Sequence, residues 1–506
     1  MSRVTAPVVA PAAVSARGWG WRHAGRRAAA VHDLDLRVGA GERVLLLGPS
    51  GAGKSTLLAA LAGVLGEGDD GETTGELLVD GGTPAAARGR AGLVLQDPES
   101  QVVLSRVGDE VAFGPENLGV PRDEILRRIP AALDAVGLGD LPLDRPTTRM
   151  SGGQKQRLAL ASVLALRPGL LLLDEPTANL DPQGARDVRD AVRDVLDATG
   201  ATLVVVEHRV DLWLDVVDRV VVLAADGTLL ADGDPAAVLA SRRAELAASG
   251  VWLPGAVPAG RAARPAGETL LEARGLDVAR DAPLGLHIDL DLRAACTTVV
   301  SGPNGVGKST LALTLAGLLR PAAGRLAATS AFAAGAGAHP WRWSSRDLAR
   351  RVGTVFQSPD HQFLTTTVRD EVALGPRTLG LPDGEQRADE VLERIGLAPL
   401  AAANPFTLSG GQRRRLSVGT ALATDPGLLV LDEPTFGQDA RSWRDVVDLL
   451  VDASDRGVGI VAASHDEHLA AALGADRLEL PSGSLNHADP PDPADPPDRS
   501  RAGGAP

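Results

Sequence analysis

The chain has 506 residues, of which 44% are hydrophobic and 23% are charged, with one cysteine and no tyrosine. A formal charge of −14 argues against binding to nucleic-acid backbones, and a single cysteine, Cys296, excludes an internal disulfide framework. Because no run of about 18 uninterrupted apolar residues occurs, the chain is not expected to span a membrane.

The sequence contains one pattern written twice. GPSGAGKST at 48–56 returns as GPNGVGKST at 302–310, SGGQ at 151–154 returns at 409–412, and LDEPT at 173–177 returns at 431–435. A repeat held in this order indicates a duplicated domain. We predict an N-terminal extension at 1–15, domains at 16–249 and 268–480, a Pro/Gly-rich linker at 250–267, and a disordered acidic tail at 481–506.

Taken along the chain, the pattern of each half is α/β. Strands are predicted at 43–47, 170–173 and 202–206, and in the second half at 297–300, 428–431 and 459–463. Helices are predicted after each glycine-rich turn, at 55–64 and 309–319, and again at 122–136 and 384–395. The strands are continuous apolar runs, which is typical of parallel strands covered by helices on both faces.

The glycine-rich turns carry the pattern G-x-x-x-x-G-K-S at 48–55 and 302–309, the P-loops of the two halves. Backbone amides of such a loop wrap a phosphate chain at a helix N-terminus, while the lysine reaches the β- and γ-phosphates. The chain has only three lysines, and two of them, Lys54 and Lys308, lie here. The predicted phosphate-binding residues are Gly48, Ser50, Gly51, Gly53, Lys54, Ser55 and Thr56, with Gly302, Asn304, Gly305, Gly307, Lys308, Ser309 and Thr310.

Two acids follow a later strand in each half. Asp174 and Asp432 suit Mg²⁺, together with the hydroxyls of Ser55 and Ser309, and the adjacent Glu175 and Glu433 can polarise an attacking water. The alternative interpretation is a pair of exposed turn acids.

Histidines that repeat at equivalent places, His208 and His465, are predicted to contact the γ-phosphate or that water. The remaining histidines are interpreted as surface or core groups: His23, His32, His287, His339, His361, His468 and His487.

The SGGQ motifs predict a second anion site in each half. A Ser-Gly-Gly turn that opens a helix presents a hydroxyl and free amides to an anion. The candidate residues are Ser151, Gly153, Gln154, Ser409, Gly411 and Gln412. Because each half then has two anion-binding surfaces but one P-loop, we expect the halves to pair head to tail, each SGGQ completing the other half's site.

The set of motifs in each half resembles that of the ATP-binding cassette (ABC) family: a P-loop, a glutamine after a strand (Gln96, Gln357), SGGQ, LDEP and a late histidine. The resemblance implies ATP and Mg²⁺ as cofactors, with Gln96 and Gln357 joining the Mg²⁺ ligands. It also implies two P-loop domains, each with a mainly parallel core sheet, an antiparallel β subdomain and a helical signature subdomain. Trp21 lies where an aromatic ring stacks on adenine, while 278–281 offers no aromatic counterpart. The D-loops of the family fall at 178–181 and 436–439.

A finer resemblance follows the two glutamines. LQDPESQVV…DEVAFGPENLG (95–119) and FQSPDHQFL…DEVALGPRTLG (356–380) are similar to the ATPases of energy-coupling factor (ECF) importers. This implies uptake of a vitamin, a vitamin precursor or a cobalt or nickel ion, and peripheral location at the cytoplasmic face of the membrane. The implied partners are an integral-membrane scaffold and a substrate-binding membrane subunit, without nucleic acid. The alternatives are an exporter ATPase and a ribosome-binding tandem cassette translation factor.

Overall fold

The computed structural model describes residues 10–26, 28–49, 51–66, 70–87, 89–96, 98–177, 180, 182–255, 258–279, 282–303 and 305–481. Several residues and segments singled out above lie outside these ranges: Ser50, Asn304, most of the first D-loop, and nearly all of the acidic tail with His487. The predicted boundary at residue 16 falls inside the first strand, which begins at Val14.

The first half has nine strands among the described residues. They are β1 (Val14–His23), β2 (Val31–Val38), β3 (Arg43–Leu47), β4 (Gly71–Val79), β5 (Ala91–Val94), β6 (Leu170–Asp174), β7 (Thr202–Val206), β8 (Arg219–Leu223) and β9 (Leu229–Gly233). The core sheet has the order β5-β6-β7-β3-β8-β9 and is parallel except for the β8–β9 pair. A separate antiparallel sheet has the order β2-β1-β4.

The helices of the first half cover both faces of its core sheet. They are α1 (Lys54–Leu61), α2 (Pro98–Gln101), α3 (Val107–Asn117), α4 (Arg122–Ala135), α5 (Gly152–Ala165), α6 (Pro182–Thr199), α7 (Val210–Trp213), α8 (Pro235–Ser241) and α9 (Arg243–Ala248), with a 3-10 turn at Thr147–Arg149. α3 and α4 pack on α5 and form a helical subdomain.

The second half repeats this plan with one strand fewer among the described residues. Its strands are β10 (Thr269–Asp277), β11 (Ile288–Arg293), β12 (Thr297–Ser301), β13 (Ala323–Ala328), β14 (Val352–Val355), β15 (Leu428–Asp432), β16 (Gly459–Ala463) and β17 (Asp476–Glu479). The core sheet, β14-β15-β16-β12-β17, is parallel throughout, and the antiparallel sheet is β11-β10-β13.

The helices of the second half follow the same order. They are α10 (Lys308–Leu315), α11 (Ser330–Ala333), α12 (Ser345–Arg351), α13 (Val368–Leu379), α14 (Gly384–Arg394), α15 (Gly410–Leu422), α16 (Ala440–Asp455) and α17 (Leu469–Leu473), with 3-10 turns at Pro340–Arg342, Pro359–Gln362, Ala398–Leu400 and Pro405–Thr407. Here α13 and α14 pack together, and α13 also packs on α15.

Each core sheet separates two apolar clusters, because its central strands are buried on both faces. In the first half, alternate residues of β6 point to opposite sides: Leu171 and Leu173 join the helical side, while Leu170 and Leu172 face α1 and the antiparallel sheet. The same division recurs along β15. The predicted α/β fold with two tandem P-loop domains is therefore confirmed, and its helices are a few residues shorter than predicted.

Candidate functional site

Each P-loop connects a central strand to the helix that follows it, and its last glycine has a backbone conformation that few other residues adopt. Gly53 and Gly307 have φ values of 84° and 107°. A Cβ atom at Gly53 would also fall on the carbonyl oxygen of Ala30. Both the angle and the close approach require glycine at this position.

The P-loop lysines are buried and are bonded by the loops that carry them. The Lys54 ammonium donates to the carbonyl oxygens of Gly48 (2.8 Å) and Pro49 (2.9 Å). Lys308 makes the same bonds to Gly302 (2.8 Å) and Pro303 (3.0 Å). The loop thus holds a positive charge at the N-terminus of a helix, which is a favourable position for a phosphate.

The first acid of each pair ends a central strand and is buried. Burial raises the pKa of Asp174 and of Asp432 to about 6, against the opposing effect of the nearby Ser55 and Ser309 hydroxyls. Ser309 Oγ donates to Asp432 Oδ1 over 3.0 Å, and Asp174 Oδ1 is buried without a hydrogen-bond partner among the described residues. A buried carboxylate oxygen that lacks a partner beside a serine hydroxyl fits a hard divalent cation such as Mg²⁺.

The second acid of each pair has a left-handed backbone conformation, which is uncommon for a residue with a side chain. Glu175 and Glu433 have φ values of 48° and 50°. Their amides still donate to the neighbouring strand, to the carbonyl oxygens of Val206 (2.9 Å) and Ala463 (2.8 Å). Strain of this kind is typical of functional sites and costs roughly 1–3 kcal/mol. The left-handed conformation directs each glutamate side chain away from its strand and toward the histidine.

In the first half the structure brings Glu175 together with two predicted partners. Gln96 Nε2 donates to Glu175 Oε2 over 2.7 Å, and His208 Nε2 lies 2.9 Å from Glu175 Oε1. Burial acts to raise the pKa of Glu175, but His208, Lys54 and Gln96 outweigh it and hold the pKa below its usual range. Burial likewise acts to lower the pKa of His208, but the charge of Glu175 outweighs burial, and the pKa of His208 is raised.

In the second half Glu433 has a different set of neighbours. His465 Nδ1 lies 3.0 Å from Glu433 Oε1, and the Ser464 hydroxyl donates to Oε2 over 3.1 Å. Gln357 is exposed, and its carbonyl oxygen accepts from Arg414 over 2.7 Å. The two sites are therefore similar in plan and different in detail.

The SGGQ serines are exposed and cap their own helices. Ser151 Oγ accepts from the amide of Gln154 over 3.3 Å, and the Gln154 side chain accepts from the amide of Ser151 over 3.1 Å. Ser409 and Gln412 form the same reciprocal pair. The motif that the sequence marks as an anion site is thus also a capping box, which fixes where the helix begins.

Some basic residues after SGGQ are used inside the fold. Arg414 is buried, and burial lowers its pKa to about 10 against the nearby acids. It donates to the carbonyl oxygens of Phe356 (3.0 Å) and Gln357 (2.7 Å), while Arg413 pairs with Asp360 over 2.7 Å. These arginines connect the SGGQ helix to the segment around the second glutamine.

The aromatic residue predicted to stack on adenine, Trp21, is only 6% exposed. Its ring lies edge-on to His23, with centroids 6.0 Å apart. His23, interpreted above as a surface or core group, is exposed, and its Nε2 lies 3.3 Å from the Thr56 hydroxyl of the P-loop helix. The side chain that reaches the P-loop from this strand is therefore the histidine.

A cavity of about 510 Å³ lies between the halves and is lined by Glu175 and Glu433 together. Of its other lining residues, Phe436 belongs to the predicted second D-loop, whereas Trp443 and Asp466 were not singled out from the sequence. Phe436 packs edge-on to His465, with centroids 5.8 Å apart, and Asp466 accepts from Thr435 and Trp443. The D-loop, FGQD at 436–439, was the sequence signal for this region.

A phosphate loop that leads into a helix, with a buried carboxylate pair at the end of a nearby strand, is built to bind and hydrolyse a nucleoside triphosphate. The fold and the site thus define a P-loop nucleotide hydrolase, present twice in one chain.

The sequence profile of the family described as "ABC transporter" matches residues 31–178 and 286–436, more than half of the chain. The chain therefore belongs to the ABC transporter family. It is an ATPase that uses ATP with Mg²⁺, and ATPases of this family generally work with membrane subunits. Within the described ranges, no helix has the length and apolar character needed to cross a bilayer.

Relatives of the chain match it over most of their length. It is 36% identical to the "Putative HMP/thiamine import ATP-binding protein YkoD" of Bacillus subtilis (strain 168), over 88% of this chain and 86% of the relative. It is 34% identical to a "Putative ABC transporter ATP-binding protein" of Methanosarcina acetivorans, over 90% and 82%. Among solved structures, "RNase-L Inhibitor" has the same fold, with a TM-score of 0.59 and 18% identity over 91% of this chain and 87% of that one.

Proposed function

We propose that this chain is the ATP-hydrolysing subunit of an ECF-type importer and drives uptake of a vitamin, vitamin precursor or transition-metal ion through separate membrane subunits. Within it, Lys54 and Lys308 bind the phosphates and Glu175 and Glu433 orient the attacking water. Asp174, Asp432, Ser55, Ser309 and the two glutamines would hold Mg²⁺, which neutralises charge on the phosphate oxygens when bound. His208 and His465 orient the glutamates.

The observation that carries the importer assignment is the surface that follows each glutamine. Buried Glu110 accepts from the amides of Val103 (3.0 Å) and Leu104 (2.7 Å), and buried Glu371 accepts from Leu364 (2.9 Å) and Thr365 (2.7 Å). Each buried acid therefore fixes a loop whose aliphatic side chain points outward.

Those aliphatic side chains are unusually accessible for their type. Val103 is 63% exposed and Leu364 is 78% exposed. An aliphatic group that a buried hydrogen-bond network holds in solvent is well suited to contact a partner. Because both halves have this arrangement, we infer that each half contacts one of a pair of helices on the membrane scaffold.

The same segments are bonded to the hydrolysis sites. In the first half Gln101 accepts from the amide of Leu95 (2.8 Å) and donates to Leu93 (3.1 Å), next to Gln96 and its bond to Glu175. In the second half Gln362 donates to the Ser417 carbonyl (2.9 Å) and the Thr420 hydroxyl (2.6 Å), both on the SGGQ helix α15. A displacement caused by a partner helix can therefore be transmitted to Glu175 in the first half and to the SGGQ helix in the second.

The cargo is proposed from the comparison alone, because the ATPase itself would not contact it. The name of the Bacillus subtilis relative, which reads HMP/thiamine import, supports HMP or thiamine as the first candidate.

The decisive experiment is purification of the tagged chain from membranes in mild detergent, followed by identification of the proteins that accompany it. We expect a small hydrophobic scaffold and a vitamin- or metal-binding membrane subunit. Val103→Asp with Leu364→Asp should abolish this association, whereas the matched control Val64→Asp, at an aliphatic residue of similar exposure after α1, should not. Recovery of ribosomes, or of an exporter's transmembrane domains, would overturn the importer assignment.

A further inference from the structure

The segment between the halves, Gly250–Gly255, is not a free linker; we call it the strap. Its side chains alternate between the two halves, as expected for an extended chain. Val251 and Leu253 are 4% and 6% exposed and belong to the core of the first half. Trp252, between them, packs against the core of the second half. The strap therefore joins the two halves by packing as well as by covalent connection.

Trp252 contacts the second D-loop, residues 436–439, directly. Its indole N–H donates to the carbonyl oxygen of Gln438 over 3.0 Å. Its ring packs edge-on to Trp443 with centroids 5.5 Å apart, and the Ala440 amide donates to the carbonyl oxygen of Gly250 over 2.8 Å. The D-loop and the first turn of α16 are thus held by a backbone bond, a side-chain bond and an aromatic contact.

A short series of contacts connects Trp252 to the hydrolysis residues of the second half. The Trp443 indole donates to Asp466 Oδ2 over 2.5 Å, and the Thr435 hydroxyl donates to the same oxygen over 2.9 Å. Asp466 follows His465, which lies 3.0 Å from Glu433. Trp252 also lines the cavity that Glu175 and Glu433 share.

The second D-loop also faces the first half. Gln438 lines the shared cavity together with Thr177 of the first half. Asp439 caps α16 through the amides of Arg441 (3.1 Å) and Ser442 (2.7 Å). Burial lowers the pKa of Lys54, and Asp439 is among the carboxylates whose charge opposes that effect, in agreement with this placement.

Among the described residues, the first half lacks the indole of this arrangement. The spacing set by Glu175 and Glu433 places Ala185 where the second half has Trp443, and the spacing set by the two histidines places Arg209 where it has Asp466. The Thr177 hydroxyl donates to buried Glu207 instead. Because no indole lies at position 185, the contacts made around Trp252 cannot be formed there.

We propose that Trp252 is a positioning residue that fixes the second D-loop against the first half. The ATP site that contains Lys54 then assembles together with the hydrolysis residues Glu433 and His465. This role concerns hydrolysis itself and does not depend on which membrane partner the chain has. It also makes the two ATP sites unequal by construction.

The test uses Trp252→Phe, which keeps an aromatic ring against Trp443 and removes the N–H that bonds Gln438. In the full-length purified chain we expect kcat for ATP to fall roughly 3- to 10-fold, the effect of losing one positioned hydrogen bond, with KM unchanged because the P-loops are untouched. Trp443→Phe should give a similar fall, and the double variant should be no slower than the worse single variant, since both act through one network. The matched control is Trp341→Phe, at a half-buried tryptophan that packs against the His339 ring in the second half.

Thermal unfolding is measured on the same samples to separate positioning from general loosening. The expected melting temperature of Trp252→Phe lies within about 2 °C of the unmodified chain, because the ring and its packing are kept. An unchanged or increased kcat, an equal fall in the Trp341→Phe control, or a rise in KM that matches the loss of kcat would overturn the role assigned to Trp252.

Discussion

Replacing Glu175 and Glu433 together by glutamine should leave ATP binding intact and stop turnover. Glutamine is isosteric with glutamate, so it can still accept from Gln96 at the position where Glu175 Oε2 is 2.7 Å away. It cannot take a proton from water or carry the negative charge that pairs with His208 over 2.9 Å. The change therefore removes the chemistry and keeps the shape.

The size of the expected effect follows from the role of a general base. Such groups contribute about 10²- to 10⁴-fold to a rate, equivalent to roughly 3–5 kcal/mol of activation free energy. Because no described contact joins either glutamate to a P-loop backbone, we expect the MgATP affinity measured by calorimetry to change by less than about 3-fold, or 0.7 kcal/mol.

Phosphate release from the full chain under single-turnover conditions measures the chemical step. The matched control is Glu467→Gln, which removes one charge from an exposed acid that lines the same cavity. A hydrolysis rate in the double variant within about 10-fold of the unmodified chain would refute the assignment of these glutamates.

Three further predictions follow from buried or displaced side chains. First, burial raises the pKa of Asp174 and of Asp432 to about 6, so the folded state binds more protons between about pH 4 and 6 and its stability falls as the pH rises through that interval. Without nucleotide or Mg²⁺, the double Asp→Asn variant should therefore have a higher free energy of unfolding than the unmodified chain at pH 7.5, by an amount on the order of 3 kcal/mol per carboxylate, and nearly the same value at pH 4. Equal unfolding curves of the two proteins at both pH values would contradict this. Second, His23→Ala should weaken ATP binding at one of two sites in calorimetry by roughly 3- to 10-fold, while Trp21→Phe, a change within a buried ring, should not. Third, Gln156 and Arg414 occupy equivalent buried positions, but both side-chain polar atoms of Gln156 lack a partner among the described residues, whereas Arg414 donates to two carbonyl oxygens. Gln156→Leu should raise the free energy of unfolding and Arg414→Leu should lower it, each by about 1–3 kcal/mol. The reverse order would show that unpaired burial is not the cause.

The parts of the molecule that local pattern determines could be predicted from the sequence. The strands at 43–47, 202–206 and 459–463 coincide with the observed ones because a buried parallel strand is a continuous apolar run with polar ends. The P-loop lysines and the carboxylates at the strand ends lie where the spacing places them, since strand, turn and helix follow each other without interruption.

What depends on contacts between distant parts of the chain could not be predicted. β1 contains register shifts between Ala16 and Trp21, and these bulges change which side chains face inward, so that Trp19 and Trp21 are both buried and His23 reaches the P-loop. The strap was predicted as part of a Pro/Gly-rich linker, because only three apolar residues alternate within it and the surrounding proline and glycine obscure that pattern. Trp252 in a chain with 3% aromatic residues was the available signal.

The left-handed backbone at Glu175 and Glu433 has a consequence for attempts to stabilise this chain. Glycine adopts that conformation without strain, which favours glycine at both positions in a selection for heat resistance, and the loss of the hydrogen bonds that Glu175 and Glu433 make opposes it. A glycine variant that survives such a selection would lose both of the groups proposed to activate water. Libraries aimed at thermostability should therefore hold these two codons fixed, or score survivors by phosphate release.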